Sequence, residues 1–249
     1  LIVAFLSYHF GWRSAFIVTG LAGFLWVIWW VFAYHKPAEH PSVSEAELAL
    51  IPSDPPDPLL RVPWLKLTRY RATWAFIAGM VFTAPFWWFY LFWGPDFFNK
   101  RFHLDTAQVV WPLITIYVMA DVGSIGAGWL SSGLINKGWT VGKARKAALL
   151  ACAMCVIPVY FAANVTTVWA AAGLLGLAAA AHQGFSCNLY TLVSDTMPRA
   201  AVSSVVGMGG MCGSLTGMFF SMYVGEVLKK TQNFQPMLHL APVAYLSAI

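Results

Sequence analysis

Six predominantly apolar stretches, residues 13–34, 73–95, 107–131, 146–163, 168–193 and 201–227, recur along the chain with mostly short polar breaks between them. Each approaches or exceeds the ~20 residues that an α-helix needs to cross the hydrocarbon layer of a bilayer. The unit of construction is therefore the transmembrane helix, and the predicted fold class is an all-α membrane protein. Composition agrees: 59% of the 249 residues are hydrophobic and 10% charged, against about 25% charged residues in an ordinary soluble domain. The first nine residues, LIVAFLSYH, and the last fourteen, PMLHLAPVAYLSAI, are hydrophobic but too short to cross alone. With no Met at the start, both ends read as truncated. The opening stretch reads as the tail of a preceding helix rather than a signal peptide, because no basic region precedes it and no small-residue cleavage site follows.

Lys and Arg in the connecting loops set the orientation. With residues 35–72 in the cytoplasm, the inside holds Lys36, Arg61, Lys66, Arg69, Arg71, Lys137, Lys143, Arg145, Lys146 and Arg199, and the outside holds Arg13, Lys100, Arg101, Lys229 and Lys230. That asymmetry makes the basic pI near 9.1 a matter of topology, and it implies no nucleic-acid partner. Cys152, Cys155, Cys187 and Cys212 all fall inside predicted helices, where a lone CxxC has neither the loop nor the second ligand pair that zinc needs. They read as small apolar packing residues, and no metal or cofactor is expected.

The one long polar segment, residues 35–72, is rich in Pro and holds Glu39, Glu45, Glu47, Asp54 and Asp57, half of the ten acidic residues. It reads as a linker between two membrane bundles. "SVSEAELALI" carries an N-cap signal before acidic residues, so a short helix is expected to start near Ser42 or Ser44. "IPSDPPDP" cannot be helical. A bundle preceded by such a loop, and by the end of an earlier bundle, suggests a transporter built from two repeated halves.

The residues then resemble a specific family. "FGWRSAFIVTGLAGFLWVIWWVFAYHKPAEHPSVSEAELALI", "TWAFIAGMVFTAPFWWFYLFWGPDFF", "YVMADVGSIGAGWLSSGLINKG" and "AAAAHQGFSCNLYTLVSDTMPRAAVSSVVGMGGMCG" are similar to the anion:cation symporter branch of the major facilitator superfamily, most of all to its hexuronate transporters. The resemblance covers nearly the whole chain. It implies a helical bundle running from the end of helix 5 to the start of helix 12: residues 1–34 as the end of the N-terminal bundle, 35–72 as the cytoplasmic central loop and 73–249 as the C-terminal bundle. It also implies that the principal gating motif and the proton-coupling acidic residues lie mainly in the missing half, so this chain alone should not transport. "GWLSSGLINKGWTVGKARK" resembles a degenerate second copy of the gating loop. Ala84 stands where many relatives carry an acidic residue, and Gly94 where a larger aliphatic one is expected.

A sugar acid needs hydrogen bonds for its hydroxyls, a flat apolar surface for its ring and a positive or strongly donating partner for its carboxylate, near the midplane. Polar residues inside spans are the candidates, because leaving them in lipid is costly. The helix over 73–95 contains the aromatic run "APFWWFYLFWGP". At 100° per residue it places Thr83, Phe86, Trp87, Tyr90 and Gly94 on one face, with Pro85, Trp88, Leu91 and Phe92 turned away. Thr83, Trp87 and Tyr90 are substrate candidates, and an aromatic belt at the outer interface is the alternative. On 168–193, His182, Gln183, Ser186 and Tyr190 share a face; Gln183, Ser186 and Tyr190 are further substrate candidates. The resemblance adds weight to Tyr190, since relatives often carry an aromatic five residues before the Asp at position 195.

On 107–131, Tyr117, Asp121, Ser124 and Gly128 form one stripe. Asp121 could carry a proton or hold helices together; Gly123, Gly126 and Gly128 favour the packing role. His182 could carry a proton, but an interhelical hydrogen bond is favoured. Gly209, Gly213, Gly217, Ser221 and Gly225 form a small-residue packing seam.

The resulting expectation is a proton-coupled symporter of hexuronates, acting as a monomer when full length and working by alternating access in the inner membrane. Aldonates, glucarate-like diacids or small carboxylates are the alternative substrates. A membrane enzyme is disfavoured by the lack of paired carboxylates, HExxH or GxSxG, and a channel by the lack of charge rings or a filter-like loop.

Overall fold

The computed structural model describes residues 2–40, 42–50, 63–105 and 107–249, and every regular element among them is helical. The chain divides into two units, residues 1–59 and 60–249. Six helices of membrane-crossing length and hydropathy occur among the described residues, one for each predicted span. "IPSDPPDP" lies outside the described residues.

In the first unit, α1 (Ile2–Phe10) and α2 (Trp12–Ala33) meet at Gly11, whose φ of +81° suits a residue without a Cβ. Ser14 Oγ ties the junction by donating to the carbonyls of Leu6 (3.0 Å) and Gly11 (2.6 Å). Trp26, Trp30 and Tyr34 stack in an i, i+4 column along α2, with centroids 5.3 and 5.1 Å apart. The short helix expected in the polar segment is α3 (Glu45–Leu50). Ser44 Oγ accepts from the Glu47 N–H at 3.3 Å, and Glu45 and Glu47 sit in the first turn, where carboxylates suit the helix dipole.

The second unit is a helical bundle: α4 (Trp64–Leu67), α5 (Arg71–Phe102), α6 (Val110–Asn136), α7 (Val141–Val156), α8 (Val168–Thr196), α9 (Arg199–Thr231) and α10 (Gln235–Ser247). A 3-10 segment, Ile157–Phe161, continues α7 where Pro158, lacking an N–H, interrupts the α-helical ladder.

Most of these helices outrun the spans read from hydropathy. The helix expected over 73–95 extends to Phe102 through a polar last turn in which Lys100 pairs with Asp96 at 3.0 Å, and α9 extends to Thr231 past Glu226 and Lys230. Apolar composition marks the lipid-immersed part of a helix, whereas i, i+4 ion pairs and backbone hydrogen bonds carry the helix beyond it.

Small residues set the packing. A Cβ on Gly123 of α6 would run into the backbone of Ala180 on α8, and one on Gly184 would meet Ala127 and Cys152. On α9, Gly209 receives the ring of Phe76, Gly213 receives Ala84 and Met80, and Gly217 receives Trp88, all from α5. Trp93 Nε1–H then donates to Ser221 Oγ at 3.3 Å. The seam read from the spacing is thus the α5–α9 contact.

Candidate functional site

Between α5, α8 and α9 lies a cavity of about 250 Å³. From α5 it is lined by Met80, Thr83, Ala84, Trp87 and Trp88, from α8 by His182, Gln183, Ser186 and Tyr190, and from α9 by Gly210 and Ser214. Five of the six residues read as substrate candidates, Thr83, Trp87, Gln183, Ser186 and Tyr190, therefore meet around one space, with His182 beside them.

Trp87 stacks on the His182 imidazole with centroids 5.2 Å apart and planes 10° from parallel. His182 is buried, bonds through Nδ1 to the Tyr245 hydroxyl of α10, and has Nε2 3.3 Å from Ser186 Oγ. It is thus an interhelical hydrogen bonder. Thr83 spends its proton on the Gly79 carbonyl at 2.7 Å, leaving its oxygen as an acceptor. Tyr190 sets its ring edge against Phe76, and neither it nor Gln183 hydrogen-bonds to another side chain or to backbone through its polar end among the described residues. The cavity thus offers an aromatic plane and uncommitted neutral donors and acceptors. Among the described residues, neither Lys nor Arg lines it.

Tyr90 is the candidate that does not join this cavity. It is 5% exposed and lines a separate small void with Phe89, Trp93, Gly94, Phe97, Ile116, Leu175 and Leu238. Its hydroxyl has no partner among the described residues. The cause is phase: the cavity faces α5 about 70° round from Thr83, at the arc shared by Met80, Ala84 and Trp87. That rotation leaves Tyr90 behind and brings in Trp88, which was expected to turn away. Trp88 lines the cavity, covers Gly217 and stacks on Phe92 at 5.5 Å.

Asp121 lies elsewhere, exposed on α6 with no hydrogen bond or ion pair among the described residues. Close packing does occur beside it at Gly123, whereas Gly126 and Gly128 face open space. Asp121 takes no part in that contact.

A second polar cluster was not read as such from the sequence. Arg145 of α7, whose side chain is 13% exposed, donates from Nε to Asp195 Oδ2 at 3.0 Å, and from Nη1 to Ser131 Oγ at 2.7 Å and Asn188 Oδ1 at 3.5 Å. Asn188, fully buried, donates through Nδ2 to the carbonyls of Ala127 (3.2 Å) and Gly184 (3.0 Å). This cluster joins α6, α7 and α8 at one end of the bundle. Its signal was present in Asn188, a costly side chain in lipid pointing away from the Gln183 face. Among the described residues no group of three His, Cys, Asp or Glu side chains comes together as a metal site.

Six membrane-length apolar helices among the described residues define a multi-pass helical membrane protein, whose second unit packs through glycine seams and holds a polar-lined cavity between α5, α8 and α9. The chain matches the Major Facilitator Superfamily over residues 1–221 and belongs to it. It is similar to the D-galactonate transporter of Escherichia coli O6:H1, 27% identical over 252 residues, covering 96% of this chain and 58% of that protein. It is also similar to the chloroplastic ascorbate transporter of Arabidopsis thaliana, 28% identical over 232 residues, covering 89% and 41%. The hexuronate transporter of Escherichia coli K12 is 25% identical over 233 residues, covering 91% and 54%. The chain spans about half the length of these curated relatives.

Proposed function

We propose that the chain is part of a secondary active transporter for sugar acids, and that the cavity between α5, α8 and α9 is its share of the substrate site. The observation that carries this reading is the convergence of Thr83, Trp87, His182, Gln183, Ser186 and Tyr190 on one space in a chain similar to transporters named for sugar acids. A volume of about 250 Å³ falls just under the ~300–1,000 Å³ of a complete ligand pocket, as suits a site shared with a second half.

Trp87 offers a flat apolar plane to the C–H face of a sugar ring, while Gln183, Ser186, Ser214 and Tyr190 exchange hydrogen bonds with its hydroxyls. The carboxylate is met by a cation from the rest of the protein, since among the described residues neither Lys nor Arg lines the cavity. Rocking of the two halves exposes the site to each side in turn. Protons drive uptake, residues 1–34 end a first bundle, residues 35–72 form the cytoplasmic loop, and residues 73–249 form the second bundle of a monomer in the inner membrane.

The ring-sized aromatic plane supports hexuronates. Aldonates are the second reading, supported by the likeness to a D-galactonate transporter over 96% of the chain. The test is uptake by the full-length protein in proteoliposomes under an inward proton gradient, with labelled glucuronate, galacturonate, galactonate and glucarate. We expect hexuronate uptake that collapses when the gradient is dissipated. Uptake of galactonate alone supports the second reading, and uptake of none of the four rejects both.

A further inference from the structure

We propose that Tyr245 is a positioning residue for the cavity, holding His182 through its phenolic hydroxyl so that the imidazole braces Trp87 and turns Nε2 toward Ser186. This rests on the reading that the cavity binds substrate. Tyr245 does not line the cavity. It sits on α10 with no exposed surface, packed between Phe86 (centroids 6.1 Å apart) and Phe185 (5.5 Å). A phenylalanine would fill that aromatic slot equally well, so packing alone does not account for the oxygen. A buried hydroxyl without a partner is costly, and the one it finds is His182 Nδ1.

That bond reaches the cavity in two steps. The Tyr245 ring stands nearly perpendicular to the imidazole, at 83°, which fixes the imidazole in the plane on which Trp87 lies at 10°. A phenol is a stronger donor than acceptor and a neutral imidazole nitrogen is a good acceptor, so Tyr245 donates to a bare Nδ1. The imidazole proton then resides on Nε2, 3.3 Å from Ser186 Oγ at the cavity wall. Tyr245 thereby selects the tautomer that presents an N–H to Ser186 and to a substrate oxygen. The arrangement is a rigid supporting contact behind a site.

The test uses the purified full-length transporter, with glucuronate and galactonate as probes of equilibrium binding and uptake. Tyr245→Phe is expected to weaken binding about 2- to 13-fold with maximal transport rate and abundance retained, and to add no loss in a His182→Gln background. Unchanged binding in Tyr245→Phe, or the same additional loss when His182 is already replaced, overturns the proposal. A measurement on the parent holds even where Tyr245→Phe does not fold. The ¹⁵N shifts of His182, assigned by difference from His182→Gln, are expected to report a bare Nδ1 and a protonated Nε2, and a protonated Nδ1 overturns the proposal. Should the parent bind no sugar acid at all, the transport reading falls, while the same ¹⁵N pair still decides whether Tyr245 holds His182.

Discussion

At the scale of single residues, helical phase separates aromatic side chains that composition cannot. Trp87 and Tyr90 are three positions apart on α5, yet Trp87 lines the cavity while Tyr90 is buried behind it with an unpartnered hydroxyl. Removing a partnerless buried hydroxyl is neutral or stabilising, because the group was desolvated without compensation. Tyr90→Phe in the full-length transporter should therefore leave substrate affinity unchanged and folded abundance equal or higher, whereas Tyr190→Phe and Gln183→Leu should each weaken binding about 2- to 13-fold. Isothermal titration with a bound sugar acid, at matched protein amounts, checks the contrast. A loss in Tyr90→Phe as large as in Tyr190→Phe would return Tyr90 to the site. The α8 candidates were legible because polar side chains inside a span are rare and costly. The exact face of α5 was not, because aromatic residues surround that helix and period alone does not say which of its neighbours stands opposite.

At the scale of helices, the glycines divide by what stands opposite them. A Cβ on Gly123 would meet the Ala180 backbone, which cannot rotate away, whereas Gly126, three residues on, faces open space. Gly123→Ala should force α6 from α8 and lower the yield of folded protein, with a cost of order 1–3 kcal/mol from overpacking. Gly126→Ala should be silent. Thermal unfolding monitored by size-exclusion of a fluorescent fusion distinguishes them, and equal behaviour of the two variants would contradict the packing described.

The Arg145 cluster makes a parallel case at the junction of α6, α7 and α8. Arg145→Met strips Asp195, Ser131 and Asn188 of their shared donor. It should destabilise by about 1–3 kcal/mol, with Asp195→Asn milder because its amide oxygen still accepts from Nε. The four-residue seam on α9 was readable as spacing, since packing of small residues repeats with the helix. The Arg145 cluster was not, because it joins residues up to 64 positions apart, from Ser131 to Asp195, and no local periodicity links them.

At the scale of the whole molecule, structure and charge supply complementary halves of one statement. The bundle says which loops share an end: Arg145 and Asp195 bring the α6–α7 and α8–α9 junctions together. At the other end Arg101 donates to the carbonyls of Ala163 (3.1 Å) and Val165 (3.3 Å), and Gln235 donates to Asn164 at 3.5 Å. Geometry cannot say which end meets the cytoplasm, because a helical bundle in a bilayer has no intrinsic inside. From the excess of Lys and Arg at the Arg145 end, with Lys137, Lys143, Lys146 and Arg199 close in sequence, we propose that this end meets the cytoplasm. Lys143, in the first turn of α7, and Thr166, in the connection before α8, are both exposed and lie at opposite ends of the bundle. In a cysteine-free full-length background, Lys143→Cys should resist a membrane-impermeant maleimide in intact cells and react after permeabilisation, and Thr166→Cys should react in intact cells. The reverse pattern would invert the topology, and with it the direction in which the cavity first meets substrate. Labelling of both sites from outside would mean that the two positions do not lie at opposite ends of the bundle.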